Sequence, residues 1–190
     1  MNQLIRESVE QSIALKKSFF DANEALITAL AREVTRSLEG GGKVLLFGNG
    51  GSAADAQHIA AELVGRFRHD RQPLAAIALT TDSSILTALA NDYGYDQVFA
   101  RQVRALGRAG DIAIGISTSG NSPSVVEAIA AASDLGLVTV ALTGRDGGRL
   151  GSAVHFHLNV SHELTDRVQE VHIMIGHILC QLVEESLKRS

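Results

Sequence analysis

A histidine and a glutamate that lie four residues apart, His58 and Glu62, are the first candidates for chemistry in this sequence. If the segment is helical, this spacing puts both side chains on one face. A carboxylate can accept a proton, and an imidazole can exchange protons near neutral pH or bind a metal ion. Taken alone, such a pair is more often an exposed contact on a helix surface. Its chemistry therefore depends on the groups that the fold brings beside it.

A second set of polar residues interrupts an apolar run near the end of the chain. Asp166, Gln169, His172 and His177 lie in a predicted helix from about Leu164 to Leu187. At 3.6 residues per turn, Asp166 and His177 are nearly in line, Gln169 is on the same side, and His172 is on the opposite side of Gln169. The spacing does not decide between the two histidines. A buried, hydrogen-bonded core histidine remains the alternative for either.

The run GNGGSAADAQHIAAEL (residues 48–63) joins a predicted strand to a predicted helix. Its first three glycines permit positive φ, and the helix N-terminus favours an anion. A tight turn alone would explain these glycines but not Asn49 and Ser52, which add polar groups. The run meets the loose G-x-G-x-x-A pattern of dinucleotide-binding proteins, but Asp82 comes too late to be the acid that such binding requires. No Gly-Lys-Ser/Thr follows, so we expect no nucleotide cofactor.

The run GISTSGNSPSVVEAI (residues 115–129) repeats the strand–turn–helix arrangement with different chemistry. Five polar residues follow the strand: Ser117, Thr118, Ser119, Asn121 and Ser122. Pro123 suits the first position of a helix, so Asn121 or Ser122 would be the N-cap. A capping turn needs only one such group. Hydroxyls and free helix amides together can bind a phosphate monoester without a lysine.

Short apolar runs alternate with helical patterns along the chain. The predicted strands are Val44–Phe47, Ala75–Leu79, Ile112–Ile116, Val138–Leu142 and Val154–Val160. The predicted helices are residues 3–38, Ser52–Phe67, a pair around Ile85–Leu106, Pro123–Leu135 and Leu164–Leu187, with a short turn after Gly147. This alternation is typical of a parallel sheet covered by helices on both faces. We expect one α/β domain over residues 1–190, with N-terminal helices in residues 1–40 and the α/β core and C-terminal helix in residues 41–190.

The N-terminal helices are long relative to the core that they could cover. Apolar residues recur at helical spacing from Leu4 to Leu15, and a second set follows Asp21 and Asn23, from Leu26 to Leu38. Because the last helix is similarly long, these helices predict a homo-oligomer, a dimer or a tetramer.

Composition excludes several classes of function. The 190 residues include 17 Lys and Arg against 21 Asp and Glu, a formal charge of −4, and no basic block, so we expect no nucleic-acid partner. One cysteine, Cys180, excludes a disulfide framework and fits a reducing cytoplasm. The amphipathic N-terminus contains acids and is unlike a signal peptide, and no apolar run approaches the roughly 18 residues of a membrane span. We therefore expect a cytoplasmic protein without a membrane partner.

Five motifs in this order, GNGGSAADAQHIAAEL, LTALANDYGYD, GISTSGNSPSVV, LTGRDGG and DRVQEVHIMIGHIL, resemble the sugar isomerase (SIS) family, and within it the enzymes of heptose phosphates. The resemblance extends over nearly the whole chain. It implies a single SIS domain, a flavodoxin-like or Rossmann-like three-layer sandwich with a five-stranded parallel sheet flanked by helices and an N-terminal helical extension. It also implies a homotetramer that isomerises sedoheptulose 7-phosphate to D-glycero-D-manno-heptose 7-phosphate through an enediol, in bacterial heptose (lipopolysaccharide core) biosynthesis.

The same resemblance implies roles for individual residues. Glu62 and His177 would be the catalytic pair. The residues implied to bind the sugar phosphate are Asn49, Gly50, Gly51, Ser52, Glu62, Asn91, Asp92, Ser117, Thr118, Ser119, Ser122, Asp166 and Gln169. Zinc, which some members carry, would be held by His58, Glu62, Gln169 and His177. Imidazole and carboxylate are common zinc ligands, whereas a glutamine amide is unusual.

Other functions are compatible with the same family. One non-enzymatic SIS protein binds the bacterial replication initiator. Such a protein has no use for a proton-transfer pair, so the presence of Glu62 together with His177 favours an enzyme. A different phosphosugar isomerase or a phosphosugar sensor is a further alternative, although arabinose 5-phosphate isomerases usually carry additional domains for which this chain has no room.

Overall fold

The computed structural model describes residues 1–188; residues 189 and 190 of the expected domain lie outside the described part. Over residues 1–188 the chain forms five strands: β1 (Val44–Gly48), β2 (Ala76–Ala78), β3 (Ile112–Ser117), β4 (Val138–Gly144) and β5 (Phe156–Val160). The same residues form six α-helices: α1 (Asn2–Glu39), α2 (Gly51–Val64), α3 (Ser83–Tyr93), α4 (Val98–Leu106), α5 (Pro123–Asp134) and α6 (Thr165–Leu187). Short 3₁₀ turns cover Tyr95–Gln97 and Gly148–Ser152.

The strands pair in parallel in the order β2-β1-β3-β4-β5. This is the flavodoxin-like order, in which the chain switches direction across the sheet between β1 and β3. β1 and β3 are buried along their whole length, as their nearly continuous apolar sequences predict. The predicted α/β fold with a parallel sheet is confirmed.

Two apolar clusters lie on opposite faces of the sheet, so the molecule has three layers. Along β1, Val44 and Leu46 face the cluster formed with α1, α2 and α6. The alternate residues Leu45 and Phe47 face the cluster formed with α3, α4 and α5. This alternation follows from the two-residue period of a strand. Both helices that carry the candidate acid–base residues, α2 and α6, therefore lie on the same face.

The N-terminal region is one continuous helix rather than the plural helices expected for residues 1–40. Its polar midpoint does not interrupt it, because Asn23 donates a hydrogen bond to the carbonyl of Phe19 (2.8 Å) and Lys17 pairs with Asp21 one turn later. One face of the second half of α1 is buried, including Ile27, Leu30 and Val34, whereas Leu4, Ile5, Val9 and Ile13 in the first half are 52–67% exposed. Among residues 1–188, no helix is long and apolar enough to cross a membrane.

Candidate active site

The glycine-rich and serine-rich turns meet at the carboxyl edge of the sheet, because β1 and β3 are neighbours and Gly48 is paired with Ile116. The Asn49 side-chain amide donates to the Ser124 hydroxyl at 3.1 Å and ties the first turn to the start of α5. A Cβ at position 48 would lie 2.8 Å from the Ile116 carbonyl oxygen, so only glycine permits this approach. Ligands of such sheets bind beyond the carboxyl ends of the strands at this switch point.

Three hydroxyls of the serine-rich turn converge. Ser117 Oγ donates to Ser122 Oγ at 3.0 Å and lies 3.4 Å from Ser119 Oγ. Ser122 is the N-cap residue of α5, one of the two positions expected, but among residues 1–188 its side chain makes no capping bond to the helix. Thr118 is half-buried in the same turn. The hydroxyl groups are therefore turned toward one another and not used up in capping.

His58, Glu62 and His177 converge on the same face of the sheet. His58 Nε2 lies 2.9 Å from His177 Nε2 and 3.3 Å from Glu62 Oε1, although 119 residues separate the two histidines. Glu62 is 24% exposed. The helices approach closely because Gly176 lies against Ile59, where a Cβ would come within 2.5 Å of Ile59 Cδ1. One potential ligand atom from each of the three side chains lies within 4.8 Å of the others.

Gln169 lies against the first turn of α2. A Cβ at position 51 would stand 2.5 Å from Gln169 Nε2, so Gly51 leaves the space that the amide occupies. Gln169 precedes His177 by about two helical turns and shares its side of α6. Ser52 in the same turn of α2 is buried. The expected neighbours Gly51, Ser52 and Gln169 are thus together at the N-terminus of α2.

His172 and His177, which the sequence could not separate, have different surroundings. His172 is fully buried, and its Nε2 lies 2.9 Å from the Thr143 carbonyl oxygen, so Nε2–H donates there. Burial lowers the pKa of His172 to about 4, so its ring is neutral at ordinary pH. His177 is half-buried and faces His58. His172 is the core histidine that the sequence left as an alternative.

Three expected substrate residues make their side-chain hydrogen bonds with residues outside these groups. Asn91 and Asp92 are exposed at the end of α3, and the Asn91 amide donates to the Asp92 carboxylate at 2.8 Å. Asp166 is exposed at the start of α6, and its hydrogen bond with the adjacent Arg167 lowers the pKa of its carboxyl. The contact from this region to the first turn is instead the Tyr95 hydroxyl, which donates to Asn49 Oδ1 at 2.8 Å.

Sequence reasoning missed three residues near the site. Asp55 precedes His58 by one turn on α2, a spacing that could have identified it. Burial raises the pKa of its carboxyl to about 6, which the nearby His58 only partly offsets, and its Oδ2 finds no hydrogen-bond partner among residues 1–188. The Phe67 ring stacks on His177 with centroids 5.7 Å apart. Phe67 ends the predicted helix Ser52–Phe67 and Tyr95 lies within the motif LTALANDYGYD, but neither pattern indicates a contact with the site.

The donor set of His58, Glu62 and His177 suits zinc. Two imidazole nitrogens and one carboxylate oxygen make up a common protein zinc set, and their mutual separations allow one ion to touch all three. Gln169, the fourth expected ligand, is placed differently in the single chain: its amide lies against Gly51 in the first turn of α2, whereas Glu62 is in the last turn. The residues present therefore fit the metal that the SIS resemblance implies.

The SIS domain family model matches residues 9–144 of this chain. The chain belongs to the SIS domain family, and the predicted resemblance is confirmed.

Within this family, the chain is 53% identical over 185 residues to the phosphoheptose isomerase of Aquifex aeolicus, with 97% of each protein covered. It is 55% identical to the phosphoheptose isomerase of Roseiflexus over 95% of this chain and 92% of the relative. The solved phosphoheptose isomerase of Neisseria gonorrhoeae superposes with a TM-score of 0.92 at 45% identity, over 97% of this chain and 98% of that one. The solved phosphoheptose isomerase of Francisella tularensis superposes with a TM-score of 0.93 at 39% identity, over 96% of this chain and 97% of that one.

The burial of His172 predicts a pH dependence of folding stability. His172 takes up a proton near pH 6.5 in the unfolded chain, whereas in the folded protein it does so only near pH 4. Because the unfolded state binds more protons in this window, stability is lost as the pH falls through it. In His172→Gln, which keeps a donor for Thr143, this loss should be smaller by up to roughly 3 kcal/mol. The free energy of unfolding in urea, measured between pH 6.5 and pH 4 for the wild type and His172→Gln, tests this prediction. Equal dependence of that free energy on pH in the two proteins would contradict it.

Proposed function

We propose that this chain is an aldose–ketose isomerase that converts sedoheptulose 7-phosphate to D-glycero-D-manno-heptose 7-phosphate in bacterial heptose biosynthesis. The observation that carries the proposal is the meeting of Glu62 and His177, from α2 and α6, on one face of a sheet whose carboxyl edge holds the hydroxyl-lined turn. The phosphoheptose isomerase relatives, which match over nearly their full length, support the substrate.

The reaction moves one proton between adjacent carbons and one between their oxygens. In the ketose-to-aldose direction, Glu62 takes a proton from C1, the C1–C2 bond becomes the double bond of an enediol, and the proton returns to C2. His177 accepts the hydroxyl proton at O1 and delivers a proton to O2. No atom is gained or lost. The distance between Glu62 and His177 allows both to face the same two carbons.

The phosphate group holds the sugar while the protons move. Ser117, Thr118, Ser119 and Ser122, together with the free amides at the start of α5, supply donors to its oxygens. Binding energy from this remote group fixes the reacting carbons beside Glu62 and His177. Asn49, Gly50, Gly51, Ser52 and Gln169 are proposed to touch the sugar, and Asn91, Asp92 and Asp166 to join them in the complete site.

Zinc is proposed as the metal of this site, held by His58, Glu62 and His177; the SIS resemblance adds Gln169, which in the single chain lies against Gly51 at the other end of α2. When bound, zinc supplies Lewis-acid polarisation of the sugar carbonyl.

An interaction protein that binds a replication initiator remains the second candidate from the SIS scaffold. It is not favoured, because binding a protein requires neither the Glu62–His177 pair nor a hydroxyl-lined turn for phosphate. An assay of sedoheptulose 7-phosphate isomerisation, run beside a pull-down with the initiator, separates the two functions.

We also propose that residues 1–190 act as one SIS domain whose N-terminal region, residues 1–40, is used in a homo-oligomer with four chains. The exposed apolar residues of α1 support this, since four of them leave more than half of their surface open in the single chain. A cytoplasmic location is proposed from the metabolic role and from Cys180, a free thiol buried in the core.

The oligomer proposal predicts that light scattering at micromolar concentration will find a tetramer, and that Ile5→Glu/Val9→Glu will shift the protein toward smaller species. Burial of these side chains in the interface is the physical reason, because a charge is costly to bury without a partner. A wild-type protein that runs as a clean monomer would contradict the proposal.

The two halves of the site should respond differently to mutation. Glu62→Gln removes the base but preserves size and polarity, so kcat should fall at least about 100-fold with little change in KM.

The double variant Ser119→Ala/Ser122→Ala removes donors to the phosphate, so KM should rise at least about 10-fold while kcat stays nearly unchanged. Coupled measurement of the aldose product checks both.

Near-normal turnover in Glu62→Gln would remove Glu62 from the mechanism. Unchanged affinity in the double serine variant would refute the phosphate assignment. Wild-type protein without activity on this substrate would refute the proposed function itself.

The zinc proposal predicts that chelator-treated protein takes up about one zinc ion per chain by titration calorimetry. Loss of a residue around a metal ligand typically costs about 10-fold to 100-fold in affinity, so loss of the ligand in His58→Ala should cost more. His69→Ala is the matched control, because His69 forms a similar exposed pair with Glu185 at 3.3 Å. Equal affinities in the two variants would contradict the assignment.

A further inference from the structure

A buried ion pair joins α6 to the segment that follows α2. Glu184 on α6 is 2% exposed, and its Oε1 accepts a hydrogen bond from Arg71 Nε at 3.1 Å. The same carboxylate accepts the backbone N–H of Phe67 at 2.8 Å and of Arg68 at 3.0 Å. Burial alone would raise the pKa of Glu184, but these N–H groups and the guanidinium hold it below its usual value. Glu184 is therefore a charged anchor within the core.

Arg71 also holds the last turn of α2. Its two terminal nitrogens donate to the carbonyl of Glu62 at 2.9 Å and to that of Leu63 at 2.9 Å. Carbonyls at a helix C-terminus lack partners within the helix, and a cation there is favourable. The guanidinium thus fixes the turn of α2 that carries the Glu62 side chain.

The same anchor fixes the ring that lies on His177. Glu184 holds the backbone N–H of Phe67, and the Phe67 ring stacks on the His177 ring at 24° between planes. Glu184 follows His177 by about two turns of α6. One carboxylate and one guanidinium thereby connect the backbone of Glu62, the ring of Phe67 and the helix of His177.

We propose that Glu184 and Arg71 are positioning residues that hold Glu62 and His177 in register for proton transfer. The inference rests on the proposed isomerase function, but neither residue touches the reacting atoms. A buried ion pair often adds little net stability compared with apolar residues of the same size. A merely structural pair would affect folding, whereas a positioning pair also affects the chemical step of the folded enzyme.

The chain offers a matched control for Glu184. Asp111, 2% exposed, accepts the backbone N–H of Lys43 and of Arg108, both at 2.9 Å, and pairs with the Lys43 ammonium. It precedes β3, and its partners Lys43 and Arg108 belong to neither α2 nor α6. Asp111→Asn and Glu184→Gln therefore remove the same kind of buried charge, one whose partners lie outside α2 and α6 and one tied to both helices.

The experiment compares Glu184→Gln, Arg71→Lys and Asp111→Asn, each at a temperature where thermal melting shows it folded. A misplacement of about 1 Å can cost on the order of 100-fold in rate, so kcat should fall between about 10-fold and 100-fold in the first two variants, with KM within about twofold. Asp111→Asn should lose similar melting temperature and keep its kcat. Equal kcat in Glu184→Gln and Asp111→Asn would overturn the proposal.

An NMR measurement tests whether Glu184 and Arg71 position His177 without relying on an activity assay. In metal-free protein labelled with ¹³C-histidine, the His177 ring resonance, assigned with His177→Gln, carries the ring-current shift of Phe67. Phe67→Leu removes this ring current and gives the reference position of the His177 resonance. In Glu184→Gln and Arg71→Lys the resonance should move toward that reference position. In Asp111→Asn it should keep its wild-type position. An unmoved resonance in the first two variants would overturn the positioning role. If wild-type protein lacks isomerase activity, the proposed function fails, and this resonance alone decides the positioning role.

Discussion

The close approach of α2 and α6 is the constraint on which the candidate site depends. Gly176 lies against Ile59, and a side chain at position 176 would separate the helices. Because the helices touch there, His58 and His177 come within 2.9 Å although they are far apart in the chain. Glu62, one turn beyond His58, then faces the same space. The proposed pair of Glu62 and His177 draws one group from each helix, so its chemistry is a consequence of tertiary packing.

The two edges of the sheet are used differently. At the edge where the strands begin, Asp111 is satisfied by two backbone N–H groups and an ammonium, an arrangement that serves folding. At the carboxyl edge, Ser117 Oγ bonds to Ser122 Oγ and lies 3.4 Å from Ser119 Oγ, which also accepts the Asn121 N–H at 3.2 Å, and the Ser122 hydroxyl is not spent on capping α5. Polar groups that satisfy each other loosely can turn toward a ligand. The parallel direction of the strands explains why such groups gather at one edge.

Much of this could be predicted from the sequence, and the limits have physical causes. The apolar runs predicted all five strands, most clearly β1 and β3, which are buried along their whole length and leave little choice of residue; Gly48 and Pro123 marked the turns correctly. Helical spacing could not choose between His172 and His177, since it gives relative angles only. The rotation of α6 is fixed by its packing, for example Val168 against Gly144. Phe67 and Tyr95 were missed because their contacts join segments that are distant in sequence.

Unsatisfied polar atoms support the location of the site independently of any relative. Native proteins pair nearly all buried polar groups, and exceptions concentrate where function opposes stability. Among residues 1–188, two buried side-chain atoms without a partner are Asp55 Oδ2 and His172 Nδ1. The first lies on α2 and the second on α6, the two helices that also carry His58 and His177. His172 is the core histidine bonded to Thr143, so folding accounts for it. Asp55, one turn before His58, has no such bond at Oδ2, and folding stability alone would favour an apolar residue there.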